Sequence, residues 1–487
     1  MYKPTIGLEI HCELNTKSKM FCSCKNDPDE KRPNVNICEV CTAQPGTLPV
    51  ANELAVKKVI KAGLALHCQI AKESKFDRKN YFYPDIPKGY QISQYDQPLC
   101  ANGFLEIDAQ SASDKASARR RIGITRIHLE EDTGSSIHPD GADYSLVNYN
   151  RAGAPLMELV TEPDITSGIE AKKFAEELQL IFKYLGVSDA DMEKGLMRVE
   201  VNISVSKTEK FGTKVEIKNL NSFKVVQKAI DFEIARQIEL LENGEAVVQE
   251  TRGWNDKKEI TFSQREKESA HDYRYFPEPD LPPLSFTQEY IEAIGAEIPE
   301  LPAQKRVRFA QEFGLGEDQI EIFVANKDLS EYFEKVASEI AVEEKSDVLR
   351  AYKLAANYLL TDVQGILATK AFDEKDFKVT PENFAEFILL IHNNTINSKT
   401  AKMVLLEMVN TGVDPSRIVE ENNLAQVTDS GELEKIIKAI IDKNPKAIED
   451  YKKGNQNAIQ FLSGQVMKET RGTADPKKVQ EILRKMM

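Results

Sequence analysis

The sequence contains no apolar run close to the roughly 20 residues that a membrane-spanning helix needs. Its first residues, MYKPTIGLE, also lack the charged and then apolar pattern of a secretory signal. Charged residues make up 29% and hydrophobic residues 41% of the 487 positions. These proportions predict a globular protein of the cytoplasm without a membrane partner, and the length predicts about two to four domains.

Phosphate-binding loops are also missing. No segment matches Gly-x-x-x-x-Gly-Lys-[Ser/Thr], and no Gly-rich fingerprint follows a predicted strand, so ATP use cannot be inferred from such a loop. The net charge of −14 argues against a surface coated with phosphate contacts. The C-terminal residues 451–487 have the opposite sign, because eight basic residues against three acidic ones give +5. This tail is a candidate for binding nucleic acid.

The chain changes character at the proline-rich stretch YFPEPDLPPL. Before it, strand patterns alternate with a few helices; after it, apolar residues recur at the three- and four-residue spacing of helices. We therefore expect an α+β fold, with a mixed or antiparallel sheet, followed by helical parts. The expected domains are residues 1–294, a helical domain at 295–408 and a helical tail at 409–487.

Several elements can be predicted individually. Strict alternation of apolar and polar residues predicts half-buried antiparallel strands in LMRVEVNISV and TKVEIKNLNS, and a strand in GLEIHCEL. In the last of these, Glu9 and His11 are two residues apart and must share a face. Helices are predicted at 52–67, at about 170–185 with Gly186 as the stop, and at 224–243 with Gly244 as the stop.

Four cysteines form two close pairs in FCSCKNDPDEKRPNVNICEVC, namely Cys22 with Cys24 and Cys38 with Cys41. Four thiolates suit the tetrahedral coordination of Zn²⁺, and the connecting loop is too polar to fold by burial alone. A complete Cys₄ set leaves no open position, so this zinc is expected to be structural; the alternative is a loop of reduced thiols. The other three cysteines are expected to be small buried side chains: Cys12, Cys68 and Cys100.

Acidic residues recur on polar strand faces, and each by itself can be part of a solvated sheet face. If Glu9, His11, Glu131, Glu200 and Glu216 converged, their oxygens and single nitrogen would suit a hard cation such as Mg²⁺ or Mn²⁺. A separate stretch, FDRKNYFYPDIPKGYQISQYD, interleaves basic residues with aromatic ones. Its basic side chains would suit ATP or an RNA end, or else belong to an aromatic core edge with solvated charges: Arg78, Lys79 and Lys88.

The motifs IGLEIHCEL, KFDRKNYFYPDIPKGYQISQYDQP, RIGITRIHLEEDTG, NYNRAGAPLMELVTEPD, TKVEIKNLNSF and DYRYFPEPDLPPL occur in this order. Together they resemble the B subunit of the tRNA-dependent amidotransferases, the GatB family, over nearly the whole chain. SGQVMKETRGTADPKKVQEIL resembles a tail domain shared with small tRNA-binding helical proteins. The resemblance implies a cradle-shaped catalytic domain, a helical domain and a helical tail that binds tRNA.

The resemblance also implies a reaction. The side-chain carboxylate of Glu-tRNA(Gln) or Asp-tRNA(Asn) is phosphorylated by ATP, and ammonia then displaces the phosphate to form the amide. The family's magnesium ligands map onto His11, Glu131 and Glu216, with Glu9 adjacent. The fourth position is Glu200, where the family more usually has Asp, which is shorter by one methylene.

Ammonia must come from elsewhere, because no thiol lies in a Cys-His signature and TGSSIHPDG lacks the Gly-rich Ser-Ser-Lys context of an amidase. The resemblance implies that an amidase, the A subunit, supplies it through a tunnel and that a small C subunit makes the complex a heterotrimer. One alternative is a noncatalytic scaffold that binds tRNA. An archaeal-type relative restricted to Gln-tRNA is disfavoured, because the inserted domain of such relatives is not found.

Overall fold

The computed structural model describes the following residues: 2–109, 118–266, 273–368, 370–425, 430–452, 455, 457–470 and 473–487. The chain divides into two compact units, Met1–Pro302 and Ala303–Met487. The first unit is rich in sheet and the second is helical, which confirms the predicted α+β class. Among the described residues, no helix combines the length and the apolar composition needed to cross a membrane. The division at 294 and 408 stays a prediction.

The strands of the first unit lie in one large sheet and three small ones. In chain order they are β1 (Lys3–Glu13), β2 (Gln69–Ile70), β3 (Glu73–Ser74), β4 (Asp77–Asn80), β5 (Tyr90–Ser93), β6 (Cys100–Ala109), β7 (Ala118–Glu131), β8 (Ser135–Ile137), β9 (Leu146–Asn148), β10 (Pro155–Thr161), β11 (Met197–Ser206), β12 (Val215–Leu220), β13 (Glu250–Asn255), β14 (Ile260–Glu266), β15 (Tyr275–Pro277) and β16 (Leu284–Ser285).

The large sheet has nine strands in the order β14-β13-β12-β11-β1-β10-β7-β6-β2. Strand β1 lies near its centre, between β11 and β10, and pairs with both in antiparallel register. Strand β12 pairs antiparallel with β11 but parallel with β13, so its antiparallel prediction is correct on one edge only. A three-stranded sheet, β15-β4-β5, is separate from the large one in its strand pairing but contacts it through β5 and β7.

The alternation predicted from the sequence decides which face of the sheet is buried. In β11, the four apolar side chains on one face are at most 3% exposed: Val199, Val201, Ile203 and Val205. In β1, Leu8 and Ile10 are each 1% exposed, while Glu9 and His11 face the opposite side. One face of the sheet therefore joins the hydrophobic core, and the other carries charged groups.

Four helices accompany the sheets in the first unit: α1 (Glu53–Ala65), α2 (Gly168–Leu185), α3 (Phe223–Glu242) and α4 (Gln288–Ala296). The three predicted helices are confirmed with starts and ends shifted by at most two residues. Ser167 caps α2 by accepting from the Glu170 N–H, and Gly186 ends it in the left-handed conformation that glycine adopts easily. Ser222 caps α3 in the same way, accepting from the Val225 N–H.

The second unit is built from helices whose apolar faces follow the predicted spacing. They are α5 (Pro302–Phe313), α6 (Glu317–Ala325), α7 (Lys327–Glu343), α8 (Val348–Asn357), a π-helical turn (Tyr358–Val363), α9 (Gln364–Leu367), α10 (Pro381–His392), α11 (Ser398–Thr411), α12 (Pro415–Glu421), α13 (Ser430–Lys443), α14 (Pro445–Lys452), α15 (Asn457–Glu469) and α16 (Pro476–Met486). The last four have a small core of their own, which includes Leu433, Ile437, Leu462, Val466, Val479 and Leu483.

Candidate active site and metal centre

The polar face of the large sheet gathers side chains from β1, β7, β10 and β11 into one cluster. The register pairs His11 on β1 with Glu158 on β10, and Glu158 in turn with His128 on β7. On the other edge of β1, Glu9 pairs with Glu200. Residues that are paired across neighbouring strands project from the same face, so these groups converge.

Glu158 lies at the centre of this cluster. Its Oε2 is 3.3 Å from Nε2 of His11 and 3.5 Å from Nε2 of His128. Glu130 joins both histidines, with Oε1 3.6 Å from Nε2 of His11 and Oε2 3.8 Å from Nε2 of His128. Glu9 completes the cluster, since its Oε1 is 3.8 Å from Nε2 of His11.

Two overlapping groups in this cluster have the composition and spacing to hold a metal ion: Glu9 with His11 and Glu158, and His128 with Glu130 and Glu158. Within each group, one ligand atom per residue lies within 4.8 Å of the others. Two carboxylates with one imidazole suit a hard divalent cation with open positions left for phosphate oxygens or water.

Burial and neighbouring charges shift the pKa values of His11, Glu158 and Glu9. Burial alone would lower the pKa of His11, but its hydrogen bond to Glu158 and the Glu130 carboxylate raise that pKa to about 9. Burial would raise the pKa of Glu158, but the two histidines outweigh burial and hold it below its usual value. Burial and the Glu158 charge raise the pKa of Glu9. An ion bound at Nε2 of His11 would take the place of a proton on that nitrogen.

Glu131 is not brought into this cluster. Successive side chains of a strand point to opposite faces, so Glu130 faces His11 and Glu131 faces away. The Glu131 carboxylate forms an ion pair with Lys88 and accepts the Ile92 N–H at 2.9 Å. Together with Lys88 it lines a different cavity of about 260 Å³, which the cysteine loop also borders.

Glu200 and Glu216 lie on the same polar face as Glu9, but both contact the ammonium group of Lys218. Lys218 Nζ is 2.8 Å from Glu200 Oε2 and 3.3 Å from Glu216 Oε1. Thr251 donates its hydroxyl to the other oxygen of Glu216 at 2.8 Å. These two carboxylates raise the pKa of Lys218 against the effect of burial, so its ammonium stays charged.

A cavity of about 210 Å³ opens over this face and combines both signs of charge. Glu9, His11 and Glu130 line it together with the basic residues Lys79, Arg198 and Lys218, and with Tyr81 and Tyr273 at its edge. Its mixture of carboxylates and ammonium groups suits a metal-bound phosphate ester better than an apolar ligand.

The three basic residues proposed for ATP or the RNA end have different environments. Lys79 lines the cavity, with Nζ 4.9 Å from the centre of the Tyr273 ring. Arg78 is held by Glu278, with Nε–Oε2 at 2.7 Å and Nη2–Oε1 at 2.8 Å. Since Lys88 pairs with Glu131, only Lys79 of the three lines the cavity over His11.

The four predicted zinc ligands come together in the loop that follows β1. One sulfur atom from each of Cys22, Cys24, Cys38 and Cys41 lies within 4.8 Å of the others. A hydrogen bond from Cys22, together with the Cys38 N–H and the Lys19 ammonium, lowers the pKa of Cys41 to about 4. Four convergent thiols fit a structural Zn²⁺.

The other three cysteines are buried as expected, with Cys12 and Cys100 at 0% and Cys68 at 8% exposure.

Sequence reasoning did not assign four members of the charged face to the site: Glu130, Glu158, His128 and Arg198. Glu158 is a single acid within the buried strand PLMELVT, and such an isolated acid is a signal for a partner. His128 lies in the motif RIGITRIHLEEDTG, but its partner on β10 depends on strand register. Arg198 follows the alternation of β11 and donates to Asp132 Oδ2 at 3.0 Å.

Comparisons with known proteins find related chains over nearly the whole length. A family model described as the GatB/GatE catalytic domain matches residues 4–292, and a second, described as a GatB domain, matches residues 331–487. A relative from Caldanaerobacter subterraneus is 48% identical over 485 residues, covering 99% of this chain and 98% of its own length. One from Persephonella marina is 49% identical over 488 residues, covering 100% and 99%. Both are named as the B subunit of an aspartyl/glutamyl-tRNA(Asn/Gln) amidotransferase.

Proposed function

Because this chain belongs to the GatB/GatE family, as the B subunit of a tRNA amidotransferase, we propose that it activates the side-chain carboxylate of a misacylated tRNA. The substrates are Glu-tRNA(Gln) and Asp-tRNA(Asn), and the products are Gln-tRNA(Gln) and Asn-tRNA(Asn). The names of the two relatives include both substrates and so support both. The enzyme class is an ATP-dependent carbon–nitrogen ligase that works within a complex of several subunits.

The reaction needs activation because a carboxylate does not react with ammonia at neutral pH. A carboxylate oxygen attacks the γ-phosphorus of ATP, and ADP leaves with the electrons of the broken bond. Ammonia then attacks the acyl carbon, inorganic phosphate leaves, and the nitrogen loses one proton. Both steps build negative charge on phosphate oxygens, so fixed cations in the site stabilise both transition states.

The observation that carries this proposal is the cavity over His11, which combines a candidate cation cluster with basic side chains. Glu9, His11 and Glu158 would hold Mg²⁺, with Glu130 beside them. A bound Mg²⁺ would neutralise phosphate oxygens of ATP. Lys79 projects into the same cavity and is assigned to the transferred phosphoryl group.

The remaining predicted site residues receive supporting roles. Glu200 and Glu216 position the ammonium of Lys218, which both contact, in place of the direct metal ligation that the family resemblance implied. Glu131 is assigned to the neighbouring cavity with Lys88. The four cysteines hold a structural zinc that orders the loop at 22–41.

Partners follow from the chemistry, since the ammonia has to be made outside this chain. An amidase, the A subunit, is proposed to make it, and a small C subunit is proposed to stabilise the pair. The helices α13–α16 are proposed to bind the body of the tRNA through phosphates, because basic residues lie along them: Lys452, Lys468, Lys477, Lys478, Arg484 and Lys485. Two further basic residues of this tail, Lys453 and Arg471, lie outside the described residues.

The test is an assay of the reconstituted complex with each misacylated tRNA, ATP and free ammonia, which bypasses glutamine hydrolysis. We expect ADP to form only when a misacylated tRNA is present, together with the matching amide. A noncatalytic scaffold would bind tRNA without any tRNA-dependent use of ATP. ADP formation at the same rate with and without misacylated tRNA would contradict the proposal.

A further inference from the structure

Lys19 is a fully buried cation in the loop between β1 and α1. Its side chain is 1% exposed, and lysine is almost never buried to this degree without an anionic partner. Among the described residues, no carboxylate forms an ion pair with it; its ammonium contacts are Cys41 Sγ at 3.7 Å and the Tyr149 carbonyl oxygen at 3.1 Å. A carbonyl is neutral, so the sulfur is the group that can offset the charge.

The backbone holds Lys19 at this place. Its N–H donates to the Cys24 carbonyl at 2.9 Å, and its own carbonyl accepts from the Asn52 side chain at 3.2 Å. Asn52 also caps α1 by accepting from the Ala55 N–H. The lysine is therefore anchored between the cysteine loop and a helix of the core, with its side chain directed toward Cys41.

The charge of the metal centre explains why a cation belongs there. Four thiolates around Zn²⁺ leave two negative charges in excess, and the loop places Cys41 at 5% exposure. A buried excess charge is costly unless a counter-charge or hydrogen-bond donors offset it. The Cys38 N–H points at Cys41 Sγ at 3.2 Å and supplies a dipole, and Lys19 supplies a full positive charge.

From this geometry we infer that Lys19 is the buried counter-ion of a tetrathiolate zinc centre. The inference rests on the zinc site proposed above and assigns the lysine a positioning role, since its ammonium contacts a ligand and not the metal. It also links the centre to the body of the domain, because the same ammonium binds the Tyr149 carbonyl. Gly153 packs against this contact. A Cβ atom at position 153 would lie 3.6 Å from Lys19 Cδ, 3.6 Å from Cys41 Cβ and 3.8 Å from Glu131 Oε2.

The experiment measures zinc in the assembled complex purified without added metal, and then the rate at which zinc passes to a chelating dye. Lys19→Met removes the charge and the donor, whereas Lys19→Gln removes the charge and keeps a donor for Tyr149. We expect both variants to release zinc at least tenfold faster than the parent, in the range found when groups behind metal ligands are removed. Lys17→Met is the matched control, because Lys17 is exposed and nearby; its release rate should stay within about twofold of the parent.

A compensating variant separates charge from packing. Cys24→His keeps a zinc-binding residue but removes one negative charge, so Lys19→Met/Cys24→His should release zinc more slowly than Lys19→Met alone. If both Lys19 variants release zinc at the rate of the parent, the inference is overturned. It is also overturned if Lys19→Met releases zinc fast but Lys19→Gln releases it at the parent's rate, because the charge is then not needed. If neither Lys19→Met nor the double variant folds, Lys19 has a packing role and the inference is rejected. A parent that contains no zinc, with no change on Cys41→Ser, would instead refute the zinc site itself.

Discussion

Glu158 places a carboxylate oxygen 3.3 Å from Nε2 of His11, although 147 positions separate the two residues in the chain. The contact exists because β1 and β10 are neighbours in the sheet and their register sets the two residues opposite each other. The same oxygen reaches His128 on the next strand. Glu158 is therefore the residue around which the candidate metal cluster is organised.

We predict that Glu158→Gln lowers amide formation by a factor on the order of 100 when the complex is supplied with ATP, misacylated tRNA and free ammonia. The amide cannot supply the negative charge that would hold a divalent ion beside His11. Glu162→Gln is the control, because Glu162 is an exposed acid just beyond the same strand. A Glu158→Gln complex as active as the parent across a magnesium titration would contradict the cluster.

Glu130 and Glu131 are adjacent but face opposite sides, and a pair of variants distinguishes them. Glu130→Gln should raise the magnesium concentration needed for half-maximal amidation by about tenfold, since it removes a charge beside His11. Glu131→Gln should leave that concentration unchanged, because its partners are Lys88 and the Ile92 N–H. The reverse pattern would favour Glu131 as the ligand, as the family resemblance implied.

One zinc per chain is predicted in the cysteine loop, and Cys38→Ser and Cys41→Ser should each lose it. The loop should then become sensitive to protease while the sheet stays folded, since a structural metal acts locally here. Elemental analysis with limited proteolysis measures both effects. Cys68→Ser provides the control, because Cys68 is buried outside the four-cysteine group. Equal zinc content in the parent, Cys38→Ser, Cys41→Ser and Cys68→Ser would reject the site.

Deleting the residues after Gly412 should weaken tRNA binding while glutamine hydrolysis by the partner amidase is retained. Gly412 ends α11 in the left-handed conformation, so the cut leaves this helix intact. Phosphate contacts make the affinity depend steeply on salt, and the truncated complex should show a smaller slope. Binding measured at several salt concentrations tests this, and equal affinity with an equal slope would contradict the assignment.

A buried network away from the site predicts a pH dependence of stability. Burial would raise the pKa of Glu250, but hydrogen bonds from Ser263 and Arg252 outweigh it and lower the pKa. A lowered pKa means that the stabilisation is present above the unfolded pKa of about 4.5 and is lost as pH falls below it. Glu250→Gln should therefore destabilise the first unit at pH 7, by about 1–3 kcal/mol, and this difference should shrink as pH falls below about 4.5.

Trp254 measures this effect locally, because it is the only tryptophan of the chain and lies on β13 with Glu250 and Arg252. Its fluorescence during urea unfolding should give midpoints that differ between parent and variant at pH 7, and the difference should shrink steadily as pH falls below about 4.5. Glu245→Gln, an exposed change nearby, serves as the control. A midpoint difference that stays constant from pH 7 down to the lowest pH at which the parent still folds would show that the Glu250 charge is not the cause.

Much of the fold could be predicted because its signals are local. Alternation marked β1 and β11, and the stops at Gly186 and Gly244 marked the ends of α2 and α3 to within about two residues. The parallel pairing of β12 with β13 could not be predicted, since strand direction depends on the intervening path of the chain.

The sequence by itself determined that Glu9 and His11 share a polar face and that four cysteines lie close enough to form one centre. It did so because both relations depend on spacing along a short stretch of chain. Only the tertiary structure decided which distant groups meet them: Glu158 and Glu130 join His11, while Glu131 turns toward Lys88. The physical reason is strand register, since pairing across a sheet is set by non-local hydrogen bonds, and a step of one residue moves a side chain to the opposite face.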